Sequence, residues 1–171
     1  GVHNYGVIIN CDSMQVYDHL RAITARPPET DEQRVPHKLY GYLDISQVND
    51  VLQWRERAYA EIYDAFNNGQ TPYVVGGTGF YVKALIQGLS PIPDVPDSVR
   101  TDIRMQAKSL SVEQLTETVK QFDPELASKF TDRQRLTRAW EVYSASGKPL
   151  SHWQSLPPEG VPQDLNFIVI T

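Results

Sequence analysis

Three short stretches carry side chains that could do chemistry. The first runs from Asn10 to Tyr17 and sets the Asp12 carboxylate directly behind the apolar run Gly6–Asn10. A carboxylate at the carboxyl end of a buried parallel strand faces the crevice where open α/β sheets bind ligands, so Asp12 can act as a general base. The same residue can instead cap the turn that follows, since a short polar side chain often closes a turn this way. The second stretch is Gly76, Gly77, Thr78, Gly79. Its glycines let backbone approach a ligand closely and it offers the Thr78 hydroxyl. It lacks the Lys and the spacing of a G-x-x-x-x-G-K-[ST] phosphate loop, which leaves a plain tight turn as the competing reading. The third stretch, Arg133 to Arg138, opens a helix, with Arg135 and Arg138 at i, i+3 on one face. Cations there oppose the helix dipole. An arriving anion or nucleic acid would offset that cost, and so would pairing with Asp132 or Glu141.

The elements that must position these residues follow from periodicity and turn chemistry. Residues 6–10 read as a buried parallel strand, and the proline-rich and charged stretch after Tyr17 reads as a long excursion with short pieces of structure. From the N-cap Asp50, the residues Trp54, Ala58, Ile62 and Phe66 recur at i, i+4 as an amphipathic helix that Asn68 and Gly69 stop. Residues 72–75 form a second buried strand feeding the Gly-rich turn, and residues 80–87 a helix ended by Gly88. Strand, helix, strand, turn, helix is the rhythm of an α/β parallel sheet.

Pro91, Pro93 and Pro96 then forbid both helix and central strand and mark a semi-rigid joint. Helices are predicted over 98–110, from a capping box at Ser111 and Gln114 to about Phe122, briefly after Asp123 and Pro124, and over 132–146 with Gly147 as the stop. Residues 167–170 look like a further sheet strand. The fold class is thus α/β, a parallel sheet core that looks incomplete at both ends of the chain, with an all-helical insertion. The expected domains are 1–92, a partial core; 93–163, the helical insertion; and 164–171, the return strand.

Composition narrows the setting. The 171 residues carry a net charge of −5, 40% hydrophobic and 22% charged residues, and no apolar run approaching the ~18 residues of a membrane helix. The charge is uneven. Residues 98–138 hold eight basic and six acidic side chains, a net of +2, while the rest of the chain carries 8 − 15 = −7. Cys11 is the single cysteine and has no partner for an internal disulfide, and with no signal-like N-terminus a cytoplasmic location is expected. His3, His37 and His152 have no ligand spacing among themselves or with Cys11, and His19 adds none, so no metal site is predicted.

Taken in order, Asp12 to Tyr17, Thr24 to Pro27, Val35 to His37, Val75 to Gly79 with Tyr81 and Lys83, Gly88 to Pro91, Asp132 to Ala139 and Ser146 to Leu150 form an ordered set of motifs. With them the sequence resembles the bacterial-type tRNA dimethylallyltransferases, the tRNA isopentenyltransferase family, from about Gly6 onward. The resemblance implies a P-loop α/β core with a helical insertion that grips the anticodon stem-loop. It implies transfer of a dimethylallyl group from dimethylallyl diphosphate, with Mg2+, to N6 of the adenosine 3′ of the anticodon. By resemblance Asp12 takes or orients the amine proton, Thr78 hydrogen-bonds the diphosphate, and Arg100 is a second contact. Ser13, Met14 and Gln15, with Asp12, would touch the adenine and its neighbours, and Gln134, Arg135, Leu136, Thr137 and Arg138 the RNA. A soluble monomer with tRNA and dimethylallyl diphosphate as partners, and no membrane, is expected.

The family's phosphate loop lies upstream of the strand ending at Asp12, where only residues 1–5 stand here, and G-x-x-x-x-G-K-[ST] occurs nowhere in the sequence. On that reading the chain is an inactive fragment without a cofactor-binding loop. Two other classes compete: a P-loop kinase of a small metabolite, which would not need the arginine-rich helix, and a non-catalytic RNA-binding remnant.

Overall fold

A computed structural model describes residues 6–20 and 23–170. His3 lies outside the described residues. The chain folds as two compact units, one holding the residues up to Gly88 together with those from Val161 onward, the other Leu89–Gly160.

In the first unit β1 (Gly6–Asn10) is the middle strand of a parallel sheet, flanked by β2 (His37–Lys38) and β3 (Thr71–Val75). Gly6 registers with Thr71 and Asn10 with Val75, so the two strands hand over to their loops side by side. Val7 and Ile9 point into the core. The excursion holds a 3-10 turn at Asp18–Leu20, the helix α1 (Glu29–Arg34) and the two-residue β2.

The helix α2 (Val51–Asn67) starts where the Asp50 carboxylate accepts from the N–H groups of Leu52 and Gln53, at 2.7 and 3.2 Å. It buries Trp54, Ala58, Ile62 and Ala65. Phe66, expected on the same stripe, is 53% exposed. Residues four apart advance by about 40° around a helix with 3.6 residues per turn, so three steps carry Phe66 off the face and Ala65 takes its place. Trp54 stacks on Tyr81 of α3 (Gly79–Gln87) at 4.4 Å and donates its indole N–H to the Asn10 carbonyl at 2.9 Å.

Residues 167–170 do not form the expected return strand. Phe167 packs on the first core, but Ile168 and Ile170 are 91% and 89% exposed and pair with no strand among the described residues. A β-branched run becomes a strand only when a neighbour completes its hydrogen-bond ladder.

The second unit is helical: α4 (Asp97–Ser109), α5 (Val112–Lys120), α6 (Pro124–Lys129), α7 (Arg133–Ser146) and α8 (Leu150–Ser155). Ser111 and Gln114 make the reciprocal capping box, at 3.2 and 2.9 Å. Asp132 caps α7 through the Arg135 N–H at 3.0 Å, and Gly147 ends it in the left-handed conformation at φ 69°. The fully buried Asp123 caps α6 through the Leu126 N–H and takes the Ser151 N–H with its other oxygen, tying α8 in place. Leu115, Val119, Leu136, Ala139 and Val142 form the core. No helix among the described residues is long and apolar enough to cross a membrane.

Candidate functional site

The loops that follow β1 and β3 are stitched into one structure. The Ser13 N–H donates to the Thr78 hydroxyl oxygen at 2.9 Å, that hydroxyl lies 3.3 Å from the Ser13 hydroxyl, and the Thr78 N–H donates to the Cys11 carbonyl at 3.2 Å. Gly76 permits the approach. A Cβ there would stand 2.3 Å from the Cys11 carbonyl carbon and 2.7 Å from the Asp12 nitrogen, whereas Gly77 and Gly79 face open space.

Asn10, fully buried, fixes the backbone of Asp12 from below. Its side-chain oxygen accepts from the Asp12 N–H at 2.9 Å, and its amide nitrogen donates to the carbonyls of Asp12 and Leu39, both at 3.0 Å. Asp12 itself is half-buried, and its Oδ1 accepts from the Met14 N–H at 2.8 Å. The capping contact therefore exists, and it occupies one carboxylate oxygen. Asn49 donates to the Ser13 carbonyl at 3.0 Å, and the Gln15 amide donates to the Thr24 carbonyl at 2.8 Å, so Gln15 also tethers the excursion. Met14 projects outward, 52% exposed.

Two neighbours of this knot are held in their neutral forms. Burial, and then the charge of Asp12, push the Cys11 thiol up to about 12, so it stays protonated and unreactive at neutral pH. Burial also raises the Tyr40 phenol, with Asp12 and Glu32 adding to it. Asp12 is the carboxylate that takes part in the hydrogen-bond net of these loops. Among the described residues no three His, Cys, Asp or Glu side chains converge as metal ligands. This donor set does not fit a magnesium site by itself.

The structure brings Asp12, Ser13 and Thr78 together, while Arg100 belongs to the helical unit. There it reaches Asp97 at 3.4 Å and the Val95 carbonyl at 3.3 Å. In that unit the expected RNA-contacting residues part company. Leu136 is fully buried in the helical core, so its side chain cannot touch a ligand, and the sequence expectation is corrected for it. Arg135 lies over the Phe130 ring at 4.4 Å and reaches Asp132 at 3.4 Å. Gln134, Thr137 and Arg138 instead line a cleft of about 320 Å3 between α4 and α7. Arg133 donates to the carbonyls of Ala107 and Leu110 at 2.6 and 2.9 Å and so caps α4.

Sequence reasoning missed Asn10 as a site residue, and it named Glu141 only as a partner for the arginines of α7, a pairing that Arg138 makes at 3.3 Å. Asn10 is a polar residue ending an apolar strand, a signal that was present. The second partner of Glu141 had no local signal, because Arg104 stands on another helix.

A small parallel sheet with two loops stitched together at its carboxyl end, joined in sequence to a bundle of helices, defines a mixed α/β protein. The sequence profile of the IPP transferase family matches residues 15–171, and the chain belongs to that family. It is 42% identical over 167 residues to the tRNA dimethylallyltransferase of Rhodospirillum centenum, covering 96% of this chain and 53% of the relative. To the tRNA dimethylallyltransferase of Azorhizobium caulinodans it is 47% identical over 151 residues, 87% of this chain and 48% of that one. The chain spans about half the length of these curated relatives. Among solved structures it is similar to a eukaryotic dimethylallyltransferase acting on tRNA, with a TM-score of 0.67 and 29% identity over 86% of this chain and 37% of the other.

Proposed function

We propose that the protein transfers a dimethylallyl group from dimethylallyl diphosphate to N6 of the adenosine 3′ of the anticodon in tRNA. The observation that carries this reading is the knot joining Asp12 and Ser13 to Thr78, in a chain of the IPP transferase family. The names of the relatives support the tRNA substrate class, and the family match removes the reason to read the chain as a small-metabolite kinase.

In the proposed reaction the N6 amine forms a bond to the allylic carbon, the carbon–oxygen bond to diphosphate breaks with its electron pair leaving on oxygen, and the amine loses a proton. Asp12 is the one carboxylate in the knot, and the oxygen not turned to the Met14 N–H is the one assigned that proton. Thr78 would hydrogen-bond the leaving diphosphate by turning its hydroxyl from Ser13, a 3.3 Å contact that costs little to release. Ser13, Met14 and Gln15 would line the adenine. Gln134, Thr137 and Arg138 would meet the RNA, whose target adenine would be turned out of its stack to expose N6. The setting is cytoplasmic, where tRNA is found, and the working form is a monomer.

The test is transfer of labelled dimethylallyl from its diphosphate to an anticodon stem-loop by the intact protein. Recovery of the label on N6 of that adenosine is expected. Absence of label under conditions where a relative turns over would reject the reading.

A further inference from the structure

The cleft between α4 and α7 holds four basic side chains, Arg104, Lys108, Arg133 and Arg138, and one acidic one, Glu141. That is a local charge of 4 − 1 = +3 in a chain whose net charge is −5. Like charges crowd together only where something arrives to offset them or where the fold compensates each one. Here compensation is incomplete. Arg133 spends its N–H groups on the α4 carbonyls, which satisfies its donors without cancelling its charge. Glu141, only 2% exposed, is shared by two guanidiniums, Arg104 at 2.7 Å and Arg138 at 3.3 Å, and its single charge balances one of them. Lys108 is exposed and has no ion-pair partner among the described residues.

The geometry of Glu141 is the second observation. A fully buried carboxylate is costly unless it is paired, and both of its partners keep much of their own surface in solvent, with side chains 59% and 41% exposed. Glu141 therefore pins one end of each guanidinium while the remaining N–H groups stay available. The two arginines come from opposite walls of the cleft, one from α4 and one from α7.

We propose that Arg104 and Lys108 on α4, with Arg138 on α7, form a binding cleft for RNA backbone phosphate, and that Glu141 is a positioning residue holding the two arginines open toward it. This rests on the tRNA reading above and extends the RNA-facing surface to α4, where no sequence motif pointed. A guanidinium held at one end by a carboxylate presents a planar pair of donors to a phosphate oxygen at small entropic cost. The ammonium of Lys108 adds charge without such geometry.

The test uses the intact protein and an anticodon stem-loop, with affinity measured at several salt concentrations. Lys108→Gln and Arg104→Gln are each expected to make the slope of log K against log salt shallower by about one unit. They should raise KM for the RNA with kcat and dimethylallyl diphosphate binding unchanged. Glu141→Gln separates positioning from charge, because loss of an anion alone would tighten RNA binding while loss of positioning weakens it. Tighter binding by that variant would overturn the positioning role. If Glu141→Gln does not fold, Lys108→Gln decides, since Lys108 makes no ion pair that the fold depends on. An unchanged salt slope in the Lys108 and Arg104 variants, with dimethylallyl transfer intact, overturns the cleft and leaves the broader reading standing. Failure of the unmutated protein to bind the stem-loop overturns both.

Discussion

The two units organise their candidate sites by opposite means. Around Asp12 the order comes from backbone: Asn10, Ser13, Gly76 and Thr78 form a net of short hydrogen bonds and one close approach, with one carboxylate in its midst. In the helical unit the order comes from side-chain charge, with Arg104 and Arg138 sharing buried Glu141 and Arg133 clasping the end of α4. Backbone nets are stiff and insensitive to salt, which suits the placement of a reacting group to within a fraction of an ångström. Exposed charges on long side chains are adaptable and salt-sensitive, which suits a polyanion. The difference predicts that lesions in the first unit appear in kcat or in folding, and lesions in the second mainly in affinity and its salt dependence.

The sharpest blow to the comparison would come from Asp12→Asn, which keeps an oxygen for the Met14 N–H while removing the base. Turnover of the intact protein should fall ~10²–10⁴-fold, with stem-loop affinity nearly unchanged. Single-turnover rates beside equilibrium binding check this. Near wild-type turnover would reduce Asp12 to the capping role that its contact with Met14 already performs.

Next in size is Gly76→Ala. The added methyl group would collide with the Cys11 carbonyl group and the Asp12 nitrogen, which are backbone atoms with no rotamer to yield. A loss of ~1–3 kcal/mol or more is expected in chemical denaturation. Gly77→Ala, which meets open space, is the control and should change stability far less. Equal losses in the two variants would mean that the loops are not held together as described.

Much of this architecture was legible in local signals, because caps and turns are decided within a few residues. Asp50, Ser111 with Gln114, Asp132 and Gly147 each announced an element end that the structure bears out. What was not legible depends on partners far away in sequence. The two residues of β2 have no period of their own and are a strand only because Ile8 and Ile9 lie beside them. The run 167–170 has the composition of a strand and pairs with none among the described residues. Likewise Asp12 and Thr78 stood out singly, but the bond between Ser13 and Thr78 spans 65 positions, and Glu141 meets Arg104 across 37. The α8 helix has no such end signal, since its N-cap is Pro149, which makes no side-chain cap hydrogen bond.

Within the helical unit, Arg133 sharpens the contrast because it is an arginine used structurally. Arg133→Gln removes two donors from the carbonyls that end α4, and stability should fall by ~1–2 kcal/mol. Thermal melting with a stem-loop titration checks it. If the melting temperature holds while RNA affinity collapses, Arg133 belongs with the RNA-facing cations instead.

Arg135 should produce the smallest effect, and it tests whether position on the helix or charge alone decides the role of an arginine. It shares a helix face with Arg138 by spacing, yet it does not line the cleft. It rests on Phe130, with Asp132 at the far edge of ion-pair range, and its side chain is 61% exposed. An exposed pair of this kind contributes ~0–1 kcal/mol, and the cation over the ring adds a similar modest amount. Arg135→Gln should therefore lower stability slightly and leave the slope of log K against log salt near wild type. Arg138→Gln, which removes a guanidinium from the cleft wall, should make that slope shallower by about one unit. Both variants are measured by the same salt-series titration and melting curve. Equal shallowing would show that RNA reads the whole arginine face of α7, and the division between a cleft arginine and a ring-bound one would have to be given up.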